Sequence, residues 1–125
     1  MHRKYLALAG VLSLVTVTAG GCKGSEEKDV KNIKVGVTLY SQYDTFISEL
    51  MTEFTEYAAD KEESSGVAIN LEILDASQSQ LTQNEQVKSL IDKGCDVICV
   101  NLVDRTEPTA ITDLAENNHV PIIFF

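Results

Sequence analysis

Residues 34–46 read KVGVTLYSQYDTF, and they change character halfway along. The segment 35–39 is apolar and rich in β-branched residues, which is typical of a buried parallel strand. Residues 40–46 are polar and aromatic, and a helical pattern of apolar residues follows directly. A strand, a loop and a helix in this order predict an α/β unit. Ligands of open α/β sheets bind beyond the carboxyl ends of the strands, so this loop is the first place to expect a binding site.

The same alternation continues along the rest of the chain. The predicted strands are 33–39, 67–74, 96–103 and 120–125, and the predicted helices are about 44–63, 81–93 and 104–117. This βαβαβαβ order predicts an α/β fold, a parallel sheet with helices on both faces. Because the apolar run 120–125 is not followed by a returning helix, we expect residues 33–125 to be an incomplete N-terminal lobe, truncated in its fourth strand.

Capping residues mark the expected ends of the helices. Asp44 is placed to accept hydrogen bonds from the first turn of the first helix, and Gly66 can take the left-handed conformation that ends it. For the third helix we predict Asp104 or Thr106 as the cap, with Pro108 in the first turn. The second helix is expected to end at Gly94, and its apolar stripe is predicted from Leu81, Val87, Leu90 and Ile91.

The N-terminus has the pattern of a bacterial export signal. Arg3 and Lys4 precede an apolar run at 5–17, which is short for the ~20 residues of a spanning helix, so a signal peptide is favoured over a membrane anchor. Residues 18–22, TAGGC, resemble a lipoprotein lipobox, in which the cysteine is lipidated. We therefore predict a lipoprotein signal peptide at 1–21 and a polar tether at 22–32 that begins at lipidated Cys22.

The two other cysteines, Cys95 and Cys99, are expected on one face of the third strand. Four residues of strand separate Cα atoms by roughly 13 Å at ~3.3 Å per residue, whereas a disulfide needs them within ~7 Å. Their spacing inside an apolar strand is also poor for a metal site. Both are predicted to be small core residues that do not pair with each other.

Composition and motifs argue against several functions. The formal net charge is −9, and −11 without residues 1–21, which disfavours nucleic acid as a partner. The sequence contains no G-x-G-x-x-G, GK[ST] or G-x-S-x-G motif, so nucleotide binding and hydrolase chemistry have no support. The two histidines, His2 and His119, have no catalytic partner near them in the sequence. We predict a protein that is not an enzyme, with neither a cofactor nor a metal in this segment.

Three residues of the strand-end loops could recognise an uncharged polyol. Asp44 can accept hydrogen bonds from two neighbouring hydroxyls, and the amide of Asn101 can donate to one hydroxyl and accept from another. Phe46 offers a flat face to a sugar ring. Each has a structural alternative, since Asp44 could be only a helix cap, Phe46 only a core residue and Asn101 only a turn residue. Their expected position on one rim favours a binding site.

The segments 34–46, 83–104 (QNEQVKSLIDKGCDVICVNLVD) and 118–125 (NHVPIIFF) carry a resemblance to a known family. Together they resemble the N-terminal lobe of type I periplasmic sugar-binding proteins, and within these the galactose/glucose binders of methyl-galactoside ABC transport systems. The resemblance covers 33–125. The alternation of strands and helices alone is shared with ribose binders, quorum-signal receptors and LacI-type repressors, whereas the combination of the YDTF loop and the NLVD segment is more specific.

The resemblance implies two α/β lobes joined by a hinge, with galactose or glucose held between them and delivered to an ABC permease in the membrane. It implies that Asp44, Phe46 and Asn101 are the sugar-binding residues of this lobe. Tyr43 stands where the family often has a second acid. The family's remaining ligands and its calcium site belong to the second lobe. The alternative is a sugar or autoinducer receptor that acts through a chemoreceptor or sensor kinase. Lipidation of Cys22 would anchor the exported protein to the outer face of the cytoplasmic membrane.

Overall fold

The computed structural model describes residues 31–125. The predicted signal peptide, Cys22 and the tether up to residue 30 lie outside the described residues. Strands and helices alternate as predicted, with the bounds β1 Asn32–Leu39, α1 Thr45–Ser65, β2 Ala68–Asp75, α2 Gln80–Asp92, β3 Val97–Val100, α3 Thr109–Asn117 and β4 Ile122–Phe124. The third strand is shorter than predicted because the chain leaves the ladder at Asn101 and enters a loop.

The four strands form one parallel sheet in the order β2-β1-β3-β4. In β1, one of the two inner strands, Val37 lies opposite Ile73 of β2 and Cys99 of β3. Since all neighbours are parallel, the carboxyl ends of the strands lie at the same edge. The loops that follow β1, β2 and β3 therefore meet there, as the sequence predicted.

Helices cover both faces of the sheet, which confirms the predicted fold class. Alternate residues of β1 and β3 point to opposite faces, as the pleat requires. The core of the α1 face contains Val35, Val37, Leu39 and Ile47, with Met51, Phe54, Val97 and Cys99 packed against it. The core of the α2–α3 face contains Val87, Leu90, Cys95, Ile98, Val100 and Ile111. Within residues 31–125, none of the helices combines the length and apolarity needed to cross a membrane.

The first helix begins and ends as predicted, but the third does not. Asp44 is the N-cap of α1, and Gly66 ends it with φ of 69°. The predicted cap of α3 is wrong: Asp104 accepts hydrogen bonds from the backbone and hydroxyl of Thr106 in a local turn, at 2.8 and 2.6 Å. These bonds use the groups that would have capped the helix, so α3 begins only after Pro108, without a side-chain cap.

The predicted stripe of α2 is wrong at its first position. Leu81 is 71% exposed, whereas Gln83 is fully buried. The start of α2 lies beside the backbone of the strand-end loops, where a buried amide finds partners that an apolar side chain could not use. The positions further along, Val87 and Leu90, are fully buried as predicted.

The two cysteines are free, as predicted, but they do not share a face. Cys95 lies before β3, where its N–H donates to the carbonyl of Leu90 at 3.1 Å. The alternation of the strand starts only at Val97, so Cys95 packs on the α2–α3 face and Cys99 on the α1 face.

Candidate functional site

The candidate site is the rim where the loops after β1, β2 and β3 meet. The loops are joined by hydrogen bonds: Asn101 N–H donates to the carbonyl of Thr38 at 2.9 Å, and Gln78 N–H donates to the carbonyl of Tyr40 at 2.7 Å. Asp75 adds a side-chain link by accepting from the N–H of Gln42 at 3.2 Å. The rim is therefore a connected surface whose shape is set by the backbone.

Asp44 lies on this rim with its carboxylate held on both sides. One oxygen accepts from the N–H of Ile47 at 3.0 Å, which is the helix-cap bond, and the other accepts from the hydroxyl of Tyr40 at 2.5 Å. The Tyr40 bond is the main cause that lowers the pKa of Asp44, and the Ile47 bond contributes further. The same bond raises the pKa of Tyr40. The positive charge of Arg105 acts in the opposite direction and offsets part of this rise. Asp44 is thus an ionised, oriented acceptor at neutral pH, because hydrogen bonds to a carboxylate favour its charged form.

Removal of the Tyr40 hydroxyl gives a direct test of this geometry. In Tyr40→Phe the pKa of Asp44 should rise toward its ordinary value, because the carboxylate loses its strongest partner. Since the pKa of Asp44 is lower in the folded than in the unfolded protein, its contribution to stability is present above the unfolded value and is lost as pH falls through the folded one. The variant should therefore be less stable than wild type at pH 7, by a margin that vanishes in acid. Carbon-13 NMR titration of the Asp44 carboxyl and thermal unfolding from pH 2 to 7 measure both effects, and an unchanged Asp44 pKa would contradict the geometry.

Phe46 lies in the first turn of α1 and is 71% exposed. The alternative that it is a core residue is therefore wrong. Ile47, the next residue, takes the buried position instead. An exposed phenyl ring beside an ionised carboxylate provides a flat apolar surface, of the kind that the C–H face of a sugar ring can cover.

Asn101 follows β3 directly and is only 4% exposed. Its amide nitrogen donates to the main-chain oxygen of Phe125 at 2.9 Å. Its side-chain oxygen, Oδ1, is buried and has no hydrogen-bond partner among the described residues. Because buried polar atoms are rarely left without a partner, we expect this oxygen to take up a donor that the described residues do not supply, such as one from solvent or from a ligand.

The structure brings the three predicted residues to one rim. Asp44 and Phe46 follow β1, and Asn101 follows the adjacent strand β3, where Thr38 and Val100 are register partners. The arrangement offers one ionised acceptor, one amide with an unused oxygen and one exposed ring.

Two contributors were not predicted from the sequence. Tyr40, which orients Asp44, is signalled only by its position in the loop after the strand. Gln83, which binds the backbone on both sides of Leu102, is signalled by a spacing of three with Gln80 and Gln86.

The described residues provide no metal centre. Within 31–125 no group of three or more His, Cys, Asp or Glu side chains is close enough to hold an ion. Burial raises the pKa of both Cys95 and Cys99, so these thiols are protonated at neutral pH and are poor ligands or nucleophiles.

Residues 35–125 match the model of the periplasmic binding protein domain. The chain belongs to this family. It is 34% identical over 92 residues to the D-galactose/methyl-galactoside binding periplasmic protein MglB of Haemophilus influenzae, a match that covers 74% of this chain and 26% of that protein. Membership confirms the resemblance seen in the sequence, and it implies a periplasmic location. The family and its matched members are solute-binding proteins, not enzymes, as the sequence predicted.

Solved structures of transporter solute-binding proteins share the fold. One from Bacillus halodurans, with bound myo-inositol, has a TM-score of 0.66 and 26% identity over 78% of this chain and 32% of its own. A carbohydrate transporter solute-binding protein from Chloroflexus aurantiacus, in complex with D-glucose, has a TM-score of 0.60. It is 26% identical over 72% of this chain and 25% of its own. The chain thus spans between a quarter and a third of the length of these relatives.

Proposed function

We propose that this chain is the N-terminal lobe of the solute-binding protein of an ABC sugar importer, and that it binds a galactose- or glucose-type monosaccharide. The observation that carries the proposal is the Oδ1 of Asn101, which is buried without a partner among residues 31–125, on the same rim as the ionised carboxylate of Asp44. Asn101 Oδ1 lacks a donor, and the Asp44 carboxylate has acceptor positions beyond those used by Tyr40 and Ile47. Both groups therefore favour a ligand that donates hydrogen bonds and carries no negative charge. A neutral ligand with several hydroxyl groups supplies those donors.

The remaining chemistry of the rim fits the same ligand. Asp44 would accept from sugar hydroxyls while Tyr40 and Ile47 keep its carboxylate fixed, so little ordering is required on binding. Phe46 would stack on the less polar face of the ring. The relatives with named ligands bind galactoside, D-glucose or myo-inositol, all of which are neutral and rich in hydroxyls.

Delivery would require a second lobe, since a single rim leaves half of the sugar in water. We propose that the sugar bridges this lobe and a second one, that its contacts favour the closed form, and that the closed form docks on the membrane permease. Lipidation at Cys22 would keep the protein beside that permease. Metabolic labelling with a radioactive fatty acid tests this step, and label retained in Cys22→Ala would exclude it.

Isothermal titration of D-galactose, D-glucose and D-ribose into the full-length protein tests the proposal. We expect saturable binding of a hexose, and a loss of about tenfold or more in Asn101→Ala, equivalent to roughly one hydrogen bond to a buried group.

Asn118→Ala is the matched control, because Asn118 is also an asparagine at the end of an element but lies at the far end of α3, where its amide donates to the carbonyl of Leu114. It should bind as wild type does. Failure of the full-length protein to bind either hexose would overturn the proposal. If Asn101→Ala binds the hexose as wild type does, the sugar does not bind at this rim.

A further inference from the structure

One side of α2 carries three glutamines, Gln80, Gln83 and Gln86, spaced so that they lie close together along the helix. All three use their side chains to bond the loops of the rim. Gln80 accepts from the N–H of Asp104 at 2.8 Å, and Gln86 donates to the carbonyl of Asp75 at 2.8 Å. The helix thus fixes strand-end loops that do not belong to it.

Gln83 is the central member and is fully buried. Its nitrogen donates to the main-chain carbonyl of Asn101 at 2.9 Å, and its oxygen accepts from the N–H of Val103 at 2.9 Å. Burial of a side-chain amide is unfavourable unless its nitrogen and its oxygen both have hydrogen-bond partners, and here both do. A fully buried glutamine with each end on the same short loop acts as a clamp on that loop.

The clamp acts on the residue that carries the free acceptor. The N–H of Asn101 is already held by the carbonyl of Thr38 at 2.9 Å, so Gln83 fixes the other side of the same residue. With both main-chain groups of Asn101 held, the direction in which its side chain leaves the backbone is fixed as well.

We propose that Gln83 is a positioning residue for ligand binding, which sets the backbone of Asn101 so that its Oδ1 is presented to a sugar hydroxyl. The proposal rests on the proposed function of Asn101. Gln83 is not assigned a contact with the ligand, because both ends of its amide are already bonded to the main chain of the loop. It acts by removing conformations of the loop that would otherwise have to be lost when the sugar binds.

Gln86 provides a matched control on the same helix. It also donates to a main-chain carbonyl, that of Asp75, and its oxygen accepts from the hydroxyl of Thr38 at 2.7 Å. Its partners lie in β1 and β2, not in the loop after β3. A change at Gln86 therefore removes the same kind of hydrogen bonds, while the main-chain bonds of Asn101 to Thr38 and Gln83 stay in place.

Gln83→Glu separates positioning from packing because its effect should depend on pH. As a carboxylate, Glu at 83 can still accept from Val103 but cannot donate to Asn101, and it repels that carbonyl. When protonated, it can donate again. Burial raises the pKa of a carboxylic acid, so protonation should be reached in mild acid. Asp44 stays charged there, because its pKa is lowered.

The experiment is hexose titration of the full-length protein at pH 8 and pH 5 for wild type, Gln83→Glu and Gln86→Glu. We expect Gln83→Glu to bind about tenfold more weakly at pH 8, as for one lost hydrogen bond, and to recover most of this at pH 5. Wild type and Gln86→Glu should each bind equally at the two pH values. Equal losses in the two variants, or no recovery in acid, would overturn the proposal.

A second readout does not depend on ligand binding. In nitrogen-15 NMR spectra without sugar, the side-chain amide of Asn101 should shift with pH in Gln83→Glu and not in Gln86→Glu. If wild type binds no hexose, the proposed function fails, and an Asn101 signal that stays constant in Gln83→Glu would separately overturn the positioning role. Should Gln83→Glu not fold, Gln83→Met keeps the volume and removes both bonds. It should bind more weakly at both pH values, and wild-type affinity would contradict the clamp.

Discussion

Asp44→Ala is expected to lower the affinity for galactose or glucose by about 100-fold or more, since hydrogen bonds to an ionised acceptor are the strong ones in a site of this kind. Tyr40 and Ile47 hold the carboxylate in place before the ligand arrives, so the substitution removes an acceptor that is already oriented. Titration calorimetry on the full-length protein measures the loss.

The same substitution removes the N-cap of α1, and this effect has to be separated from binding. Asp44→Asn keeps a capping oxygen and removes the charge, so it should retain stability and still lose affinity. Ser79→Ala removes the corresponding cap of α2, where the Ser79 hydroxyl accepts from Thr82 at 3.2 Å. A loss of affinity in Ser79→Ala as large as that in Asp44→Ala would mean that Asp44 acts only as a cap.

Leu90→Ala is expected to lower the free energy of unfolding by about 2–5 kcal/mol, the range for removal of a large buried aliphatic side chain. Leu90 is fully buried and lies against Gly36 of β1. A Cβ placed on Gly36 would lie 2.8 Å from a methyl carbon of Leu90, so the absence of a side chain there lets α2 pack closely on β1.

A double-mutant cycle tests this contact. Gly36→Ala alone should be destabilising by about 1–3 kcal/mol through overpacking, whereas in the Leu90→Ala background the new methyl has room and the cost should largely disappear. Urea unfolding of the four proteins gives the coupling energy. Strict additivity would show that Gly36 and Leu90 do not meet as described.

The order of strands and helices was predictable because each element carries its own periodic signal. The run 35–39 and the amphipathic residues after Asp44 are local patterns, and the parallel sheet follows from their alternation. The start of α2 was not predictable in this way. The buried side of a helix is predicted from the spacing of its apolar residues. The buried side of α2 instead faces backbone groups at Gln83, so the helix buries the amide of Gln83 and leaves Leu81 exposed.

Two other predictions, the cap of α3 and the position of Cys95, were wrong because of short-range hydrogen bonds. Asp104 was expected to cap α3, but Thr106 is only two residues away and its N–H donates to the Asp104 carboxylate. That carboxylate therefore does not bond the first turn of the helix. Cys95 was assigned to the strand, although its N–H donates to the carbonyl of Leu90, near the end of α2. In each case a short-range hydrogen bond decided between two structures that the sequence pattern allows equally.

The candidate site was predictable in position but not in detail. Asp44, Phe46 and Asn101 were identified because they follow strands whose carboxyl ends must share an edge, and because the loop resembles that of known sugar binders. The exposure of Phe46, the bond from Tyr40 and the unpartnered oxygen of Asn101 depend on the folded arrangement. They support the proposal that this rim binds a ligand.

The most direct test of the central claim is a crystal structure of the full-length protein with the hexose that binds it in solution. The predicted result places sugar hydroxyls within hydrogen-bond distance of the Asp44 carboxylate and of Asn101 Oδ1, with the sugar ring against Phe46. A hexose bound away from this rim, with Asn101 Oδ1 bonded only to protein groups, would contradict the account.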